Sequence, residues 1–272
     1  ANYFSIAAQF FSRVQMVGIV GEDFPEQHIN RLSSMGIDTS GIEKISGQSF
    51  HWHGEYSYDL NEAKTIKTEL NVFKHFSPKV PEHYRDAKTV FLANIDPELQ
   101  LHVLKQMKDP KIKALDTMNF WIQGKNKQLK EVISKVDILF VNDAEVRLLT
   151  GEHNILKAAR EARKLGARIV VIKRGEYGAL LCCDSQVAFV PAYPLEDVFD
   201  PTGAGDTFAG GFLGHLHNGD NFDSSLLRQA MIMGTVMSSF TIEKFSFDRL
   251  LELDHESILN RKRQLVEMTR HL

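Results

Sequence analysis

From residue 89 to residue 173 the chain repeats one pattern: a short apolar run, a polar break, then a stretch with helical periodicity. The runs are Thr89–Ile95, Ile112–Asp116, Val136–Val141 and Arg168–Lys173. Helices fall between them: one opened by Asp96-Pro97-Glu98 and reaching about Met107, one from about Trp121, one around Ala144–Leu149 and one at about Ile155–Leu165. Strands that are apolar throughout are buried on both faces, and strands separated by helices run parallel. The pattern therefore predicts an α/β fold of three layers with a mostly parallel sheet in the middle. Ligands of such sheets bind beyond the carboxyl ends of the strands. Asn94, Asp116, Asn119, Asn142, Glu145 and Lys173 each end a strand or begin the element after it, which makes them candidates for a site.

Composition narrows the class. A chain of 272 residues suits one large domain, and 43% hydrophobic residues is ordinary for a globular protein. A net charge of −3 supplies no basic field for a nucleic-acid partner. No apolar run approaches the ~20 residues of a membrane span, and no signal-peptide pattern or repeat is visible. Cys182 and Cys183 are neighbours in an apparent strand and form no disulfide framework, so a reducing, cytoplasmic setting is expected. None of the 11 histidines has HExxH spacing, and packing or solvated roles suit them best.

The stretch with the most chemistry in it is Asp200-Pro201-Thr202-Gly203-Ala204-Gly205-Asp206, followed by Phe208, Phe212, Leu213 and Leu216 at helical spacing. It reads as a tight loop entering a helix. Glycines let the backbone approach a ligand, and the N–H groups and dipole of a first helical turn favour an anion. A carboxylate at Asp206 is poorly placed to attract that anion. It is well placed to take a proton from a hydroxyl attacking it. Alternatively, the motif is a helix start with Asp as its cap.

Asp-Pro-Thr-Gly-Ala-Gly-Asp-Thr-Phe resembles the C-terminal signature of the ribokinase-like (PfkB) carbohydrate and nucleoside kinases. Val-Gly-Ile-Val-Gly-Glu-Asp-Phe (17–24) is similar to the family's GxVGxD segment, Asn142–Glu145 to NxxE, and Lys173–Gly178 to KxGxxG. Asp116–Trp121 is similar to DxNxRxxxW, with the Arg unmatched and the spacing shifted. The resemblance spans Asn2 to about Phe245.

It implies a ribokinase-like three-layer sandwich with a small β lid, forming one kinase domain over 1–272 with the lid at about 45–70. It implies ATP and Mg²⁺, transfer to a primary hydroxyl of a sugar or nucleoside, and a possible homodimer through the lid. Residue by residue, Gly203, Ala204 and Gly205 would cradle the γ-phosphoryl and Asp206 would be the base. Asn142, Lys173, Gly175, Thr202 and Gly234 would meet ATP, and Glu145 would hold Mg²⁺ through water. Asn2, Asn94, Asp116 and Asn119 would line the acceptor site, and Asp200 with Thr202 would help bind a monovalent cation (K⁺) if one is used. A first strand with a sugar-binding Asp and a Gly-Gly pair is expected ahead of Asn2 and is absent from the sequence.

The flanking elements read as follows. Ala1–Ala8 is a helix already under way and Val14–Val20 a strand. A helix starts at Asp23-Phe24-Pro25-Glu26, with Asp23 as capping acid, and is closed by Gly36. Phe50–Tyr58 alternates apolar and polar residues, as a half-exposed strand of a lid or of an ordinary hairpin, with Asp59–Glu62 as the turn. Gly178–Cys183 and Gln186–Pro191 form a hairpin turning at Asp184-Ser185. Ser224–Ser239 is a long helix and Asp254–Leu272 a final basic helix whose Arg261, Lys262 and Arg263 form a solvated face. Two other functions are weighed against the kinase. One is a catalytically silent sensor of the same fold, which would most easily have lost Asp206. The other is a dinucleotide-dependent oxidoreductase, disfavoured because no GxGxxG follows a strand near the start.

Overall fold

The computed structural model describes residues 1–56, 60, 63–184, 186–217, 219 and 222–270. The expected lid residues Ser57, Tyr58, Asp59, Asn61 and Glu62, and Ser185 of the hairpin turn, lie outside them. The chain opens with α1 (Asn2–Ala8), β1 (Gln15–Gly21), α2 (Glu26–Ser34) and β2 (Asp38–Ile45). A hairpin, β3 (His51–Tyr56) and β4 (Ala63–Glu69), follows. Then come β5 (Thr89–Leu92), α3 (Pro97–Gln106), β6 (Ile112–Asp116), α4 (Asn119–Gly124), α5 (Asn126–Ile133), β7 (Ile138–Asn142), α6 (Asp143–Thr150), α7 (Ile155–Lys164) and β8 (Ile169–Lys173). The remainder is β9 (Ala179–Cys182), β10 (Val187–Val190), α8 (Ala204–Leu216), α9 (Ser224–Thr241), α10 (Asp248–Leu251) and α11 (His255–Met268).

The sheet has the order β10-β9-β8-β7-β6-β5, parallel from β5 to β8 and antiparallel beyond. Its strands bury both faces because neighbouring residues point opposite ways. Ala114, Ile138, Phe140, Ile169, Val171 and Leu181 pack in one core with residues of α1, α8, α9 and α11. Leu115, Leu139, Val141, Val170, Ile172 and Leu180 pack in the other with residues of α3, α5, α6 and α7. This is the expected three-layer arrangement.

The helix that enters the first core is held unusually close. A Cβ at Gly210 would lie 2.5 Å from the Phe4 carbonyl oxygen, and one at Gly211 2.7 Å from that of Met233. Glycines on two neighbouring faces of α8 thus let α1 and α9 approach its backbone. Phe208 and Phe212 then fill the space over Phe140, with Phe212 edge-on at 5.3 Å.

Three expectations change. Asp23 does not cap α2: Pro25 stands at the cap position, and the Asp23 Oδ1 accepts from the Ser49 N–H at 2.7 Å and the Ser49 hydroxyl at 2.8 Å. β2 was not foreseen, since Asp38–Ile45 has no sustained apolar run. It forms by parallel pairing with β1, and the buried Tyr84 hydroxyl donates to the Asp38 carboxylate at 2.6 Å. Arg261 is not solvated. Its guanidinium lies 3.5 Å from the Phe240 ring centroid and 4.8 Å from that of Tyr193, and it pairs with Glu243.

Two features frame the site. The β1–β2 pair is separate from the large sheet, and a cavity of about 1070 Å³ is lined by Val17 and Ile19 of β1, Val90 and Phe91 of β5, and Asn2 and Asp206. The β3–β4 hairpin turns Trp52, Gly54 and Tyr56 inward and leaves His51, His53 and Glu55 exposed. Among the described residues no helix is long and apolar enough to cross a membrane.

Candidate active site

The Asp200–Asp206 loop enters α8 as its sequence requires. Gly203 is the N-cap at φ +80°, a left-handed conformation in which a side chain is strained, and a Cβ there would stand 2.4 Å from the Tyr3 ring. Asp200 fastens the loop: one carboxylate oxygen accepts from the Thr202 N–H at 2.9 Å and the other from the Ser246 N–H at 3.1 Å. No side chain caps α8, whereas Asp96, Asn142, Asn154, Asp223 and Asp254 cap α3, α6, α7, α9 and α11. The first turn of α8 is thereby left open to an outside anion. The Ala204 N–H bonds back to the Pro201 carbonyl at 3.2 Å. The cradle expected of three backbone donors therefore rests on Gly203 and Gly205.

Beneath the cradle lies a buried cation. The Lys173 ammonium, at the end of β8, meets the Asp116 carboxylate at the end of β6 at 2.7 Å, with side chains only 17% and 6% exposed. A Cβ on Gly205 would come within 3.1 Å of that ammonium, so Lys173 sits against the first turn of α8. Burial pulls the Lys173 pKa down, but the nearby carboxylates of Asp116, Glu145 and Asp206 outweigh it and hold it above the usual lysine value. Burial likewise pushes the Asp116 carboxyl up against the pull of Lys173. Lys173, expected to meet ATP, shares its charge with Asp116.

Asn142 and Glu145 form a capping box. The Asn142 Oδ1 accepts from the Glu145 N–H and the Glu145 carboxylate from the Asn142 N–H, each at 2.7 Å. Asn142 so fixed ends β7 beside Lys173, and Glu145 stands in the first turn of α6. Asp206 is the partly exposed acid of the group, its carboxylate 31% exposed and 3.3 Å from the Ala1 amino group. It lines the cavity together with Asn2.

Other candidates fall elsewhere. Gly234 is buried, and a Cβ there would be 2.9 Å from the Phe208 carbonyl oxygen, so it packs α9 closely against α8. Gly175 (φ +52°) opens the 3-10 turn Gly175–Tyr177 and serves the chain reversal. Asn94 is exposed, and its Oδ1 accepts from the Trp121 indole at 3.0 Å. Asn119 is the exposed first residue of α4, without a capping role.

Three residues join the site that the sequence did not point to. Gln100, 1% exposed, donates to the carbonyls of Ala93 and Asp116 at 2.8 and 3.2 Å and so ties the ends of β5 and β6. Tyr3 lies on Gly203, and the Tyr56 hydroxyl accepts from the Thr202 hydroxyl at 3.4 Å. Nothing local marks them, because their partners are distant in sequence.

The profile described as "pfkB family carbohydrate kinase" matches residues 1–250. A cytidine kinase of Thermococcus kodakarensis is 34% identical over 225 residues, covering 78% of this chain and 77% of that protein. A nucleoside kinase of Burkholderia thailandensis, solved in complex with inosine, superimposes with a TM-score of 0.80 over 98% of this chain and 87% of that one at 18% identity. The ribokinase of Thermotoga maritima does so with a TM-score of 0.77 over 96% and 86%, at 20% identity. The two solved structures carry the fold; the family profile and the 34% identical relative carry the family.

Proposed function

The chain belongs to the pfkB family of carbohydrate kinases and is a sugar or nucleoside kinase, and from that premise we propose how its own residues transfer the phosphoryl group. The acceptor lies in the cavity shared by Asn2 and Asp206, its primary hydroxyl against the Asp206 carboxylate. Asp206 takes the hydroxyl proton as the oxygen attacks the γ-phosphorus of ATP; the bond to the β–γ bridging oxygen breaks and ADP leaves. The N–H groups of Gly203 and Gly205, with the uncapped dipole of α8, stabilise charge on the transferring oxygens. Lys173 adds a fixed positive charge beneath them.

The observation that carries this reading is the juxtaposition of an uncapped helix start, a partly exposed carboxylate in its first turn, and a buried ammonium under the same turn. Thr202 and Asn142, next to these groups, are assigned to the nucleotide phosphates.

Among the described residues no three His, Cys, Asp or Glu side chains are grouped to hold a metal. Mg²⁺ needs no such group: it keeps its waters and takes one or two carboxylates with phosphate oxygens. The buried Glu145 carboxylate, oriented by its capping box, suits that outer-sphere role, and the ion would supply charge neutralisation on ATP. The Asp200 oxygens each accept one backbone N–H and keep lone pairs for a monovalent cation if one is used; no step is derived through one. The β3–β4 hairpin is assigned as the lid of a single kinase unit. Its outer face pairs Glu55 with Lys64 at 3.3 Å, which supports a lid meeting solvent more than one sealed in an apolar dimer contact. Cys182 and Cys183 are joined in no disulfide among the described residues, which supports a reducing, cytoplasmic setting.

The 34% identical relative, named a cytidine kinase, favours a nucleoside acceptor. The test is ADP release with Mg·ATP over cytidine, adenosine, inosine, ribose and fructose. A nucleoside is expected to be turned over fastest. Asp206→Asn is expected to lower kcat by about 10²–10⁴-fold. Turnover unchanged in that variant would remove Asp206 as the base, and ATP binding without turnover of any acceptor would favour the silent sensor.

A further inference from the structure

The loop that starts α8 is held from three sides. Asp200 binds its backbone at Thr202, Tyr3 lies on the face of Gly203, and the Tyr56 hydroxyl meets the Thr202 hydroxyl. The first two grips come from the body of the protein: Asp200 is anchored to the Ser246 N–H, and Tyr3 stands edge-on to Phe247 at 5.8 Å. The third comes from the β3–β4 hairpin, which among the described residues pairs with no other strand. Such a hairpin has little stability of its own, so its position answers to what it touches.

We propose that Tyr56 is a positioning residue that joins the hairpin to the phosphate loop through Thr202, so that acceptor and nucleotide each favour the binding of the other. The inference rests on the kinase reading above. The Thr202 hydroxyl donates to Tyr56 at 3.4 Å. That is longer than the ~2.8 Å of a relaxed O–H···O bond, and a shift of roughly 0.6 Å closes it. A hairpin drawn down over an acceptor makes that shift, and the tightened bond holds Thr202 in place one residue before the Gly203 cap. Conversely, a phosphate that orders the cradle fixes Thr202 and gives the hairpin a place to dock. Coupling of this kind is reciprocal and equal in both directions. Burial, with the nearby charge of Asp200, keeps the Tyr56 phenol above its ordinary pKa, so its own proton remains available to a further acceptor.

Two measurements test this on the whole chain. The first is calorimetric affinity for Mg²⁺ with the non-hydrolysable β,γ-imido analogue of ATP, with and without the acceptor turned over fastest in the panel. One hydrogen bond of ordinary worth predicts roughly three- to tenfold tighter binding with acceptor. The ratio should fall to about one in Tyr56→Phe and Thr202→Val, survive in Thr202→Ser, and fall no further in the Tyr56→Phe/Thr202→Val double variant. The second is hydrogen exchange of residues 51–56 and 63–69 on adding the Mg²⁺ analogue alone, which needs no acceptor. Protection is expected in the natural protein and not in Tyr56→Phe. A ratio unchanged in Tyr56→Phe, additive losses in the double variant, or hairpin exchange that responds alike in both proteins would overturn the proposal. Absence of turnover on every acceptor would instead overturn the kinase reading, with the exchange comparison still deciding the link.

Discussion

At the scale of single residues, the Lys173–Asp116 pair is an ion pair buried at the ends of β8 and β6. Breaking a buried pair leaves an uncompensated charge and costs about 3–5 kcal/mol, whereas removing both charges together is close to neutral. Lys173→Met is therefore expected to lose stability on that scale in urea unfolding, and Lys173→Met/Asp116→Asn to regain most of it. If Lys173 also serves the phosphoryl group, the double variant regains stability without regaining kcat; recovery of both would make the pair purely structural. Gly203 was legible as a residue under backbone constraint, since a loop entering a helix through Gly-Ala-Gly leaves few other readings. The Tyr3 ring that also excludes a side chain there was not legible, because 200 residues of chain lie between them.

At the scale of elements, local chemistry was read well where it was local. Asp96-Pro97-Glu98 opens α3 as read, with Asp96 as its cap, and the apolar runs became strands, whereas the capping role of Asn142 emerged only in the structure. Asp23 and β2 went otherwise because long-range partners outbid local preference. Tyr84 makes that competition measurable. Its hydroxyl donates to Asp38, and this hydrogen bond is the largest of the causes that bring the Asp38 pKa from 3.8 to about 2. The charged form is the one the fold favours, so the stabilisation is fully present above about 3.8 and is lost as pH falls through about 2. Tyr84→Phe is expected to cost about 1 kcal/mol near neutrality, discounted because Asp38 is 41% exposed. In urea titrations from pH 7 to pH 3 the gap between the two proteins should narrow only below about pH 4; a gap that widens there would contradict the assignment.

At the scale of the whole molecule, the last helix buries Ile258 and Leu265 in the first core and adds a polar anchor. Arg261 of α11 stacks on Phe240 of α9 and on Tyr193, and bonds Ser239 at 3.1 Å as well as Glu243. Arg261→Ala should cost about 2 kcal/mol by urea midpoint, and Arg261→Lys most of that, since an ammonium neither stacks nor forks as a guanidinium does. Equal stability of the Lys variant would reduce the contact to simple charge. The sequence by itself determined the parallel sheet, its order of strands and helices, and the loop at Asp200–Asp206, because periodicity, capping and glycine geometry act over a few residues. Tertiary structure alone decided that Lys173 meets Asp116, that Gly234 packs on Phe208, and that Tyr3 and Tyr56 reach the Asp200–Asp206 loop. Those contacts join residues far apart along the chain, and only the layering of helices around the sheet brings them within bonding distance.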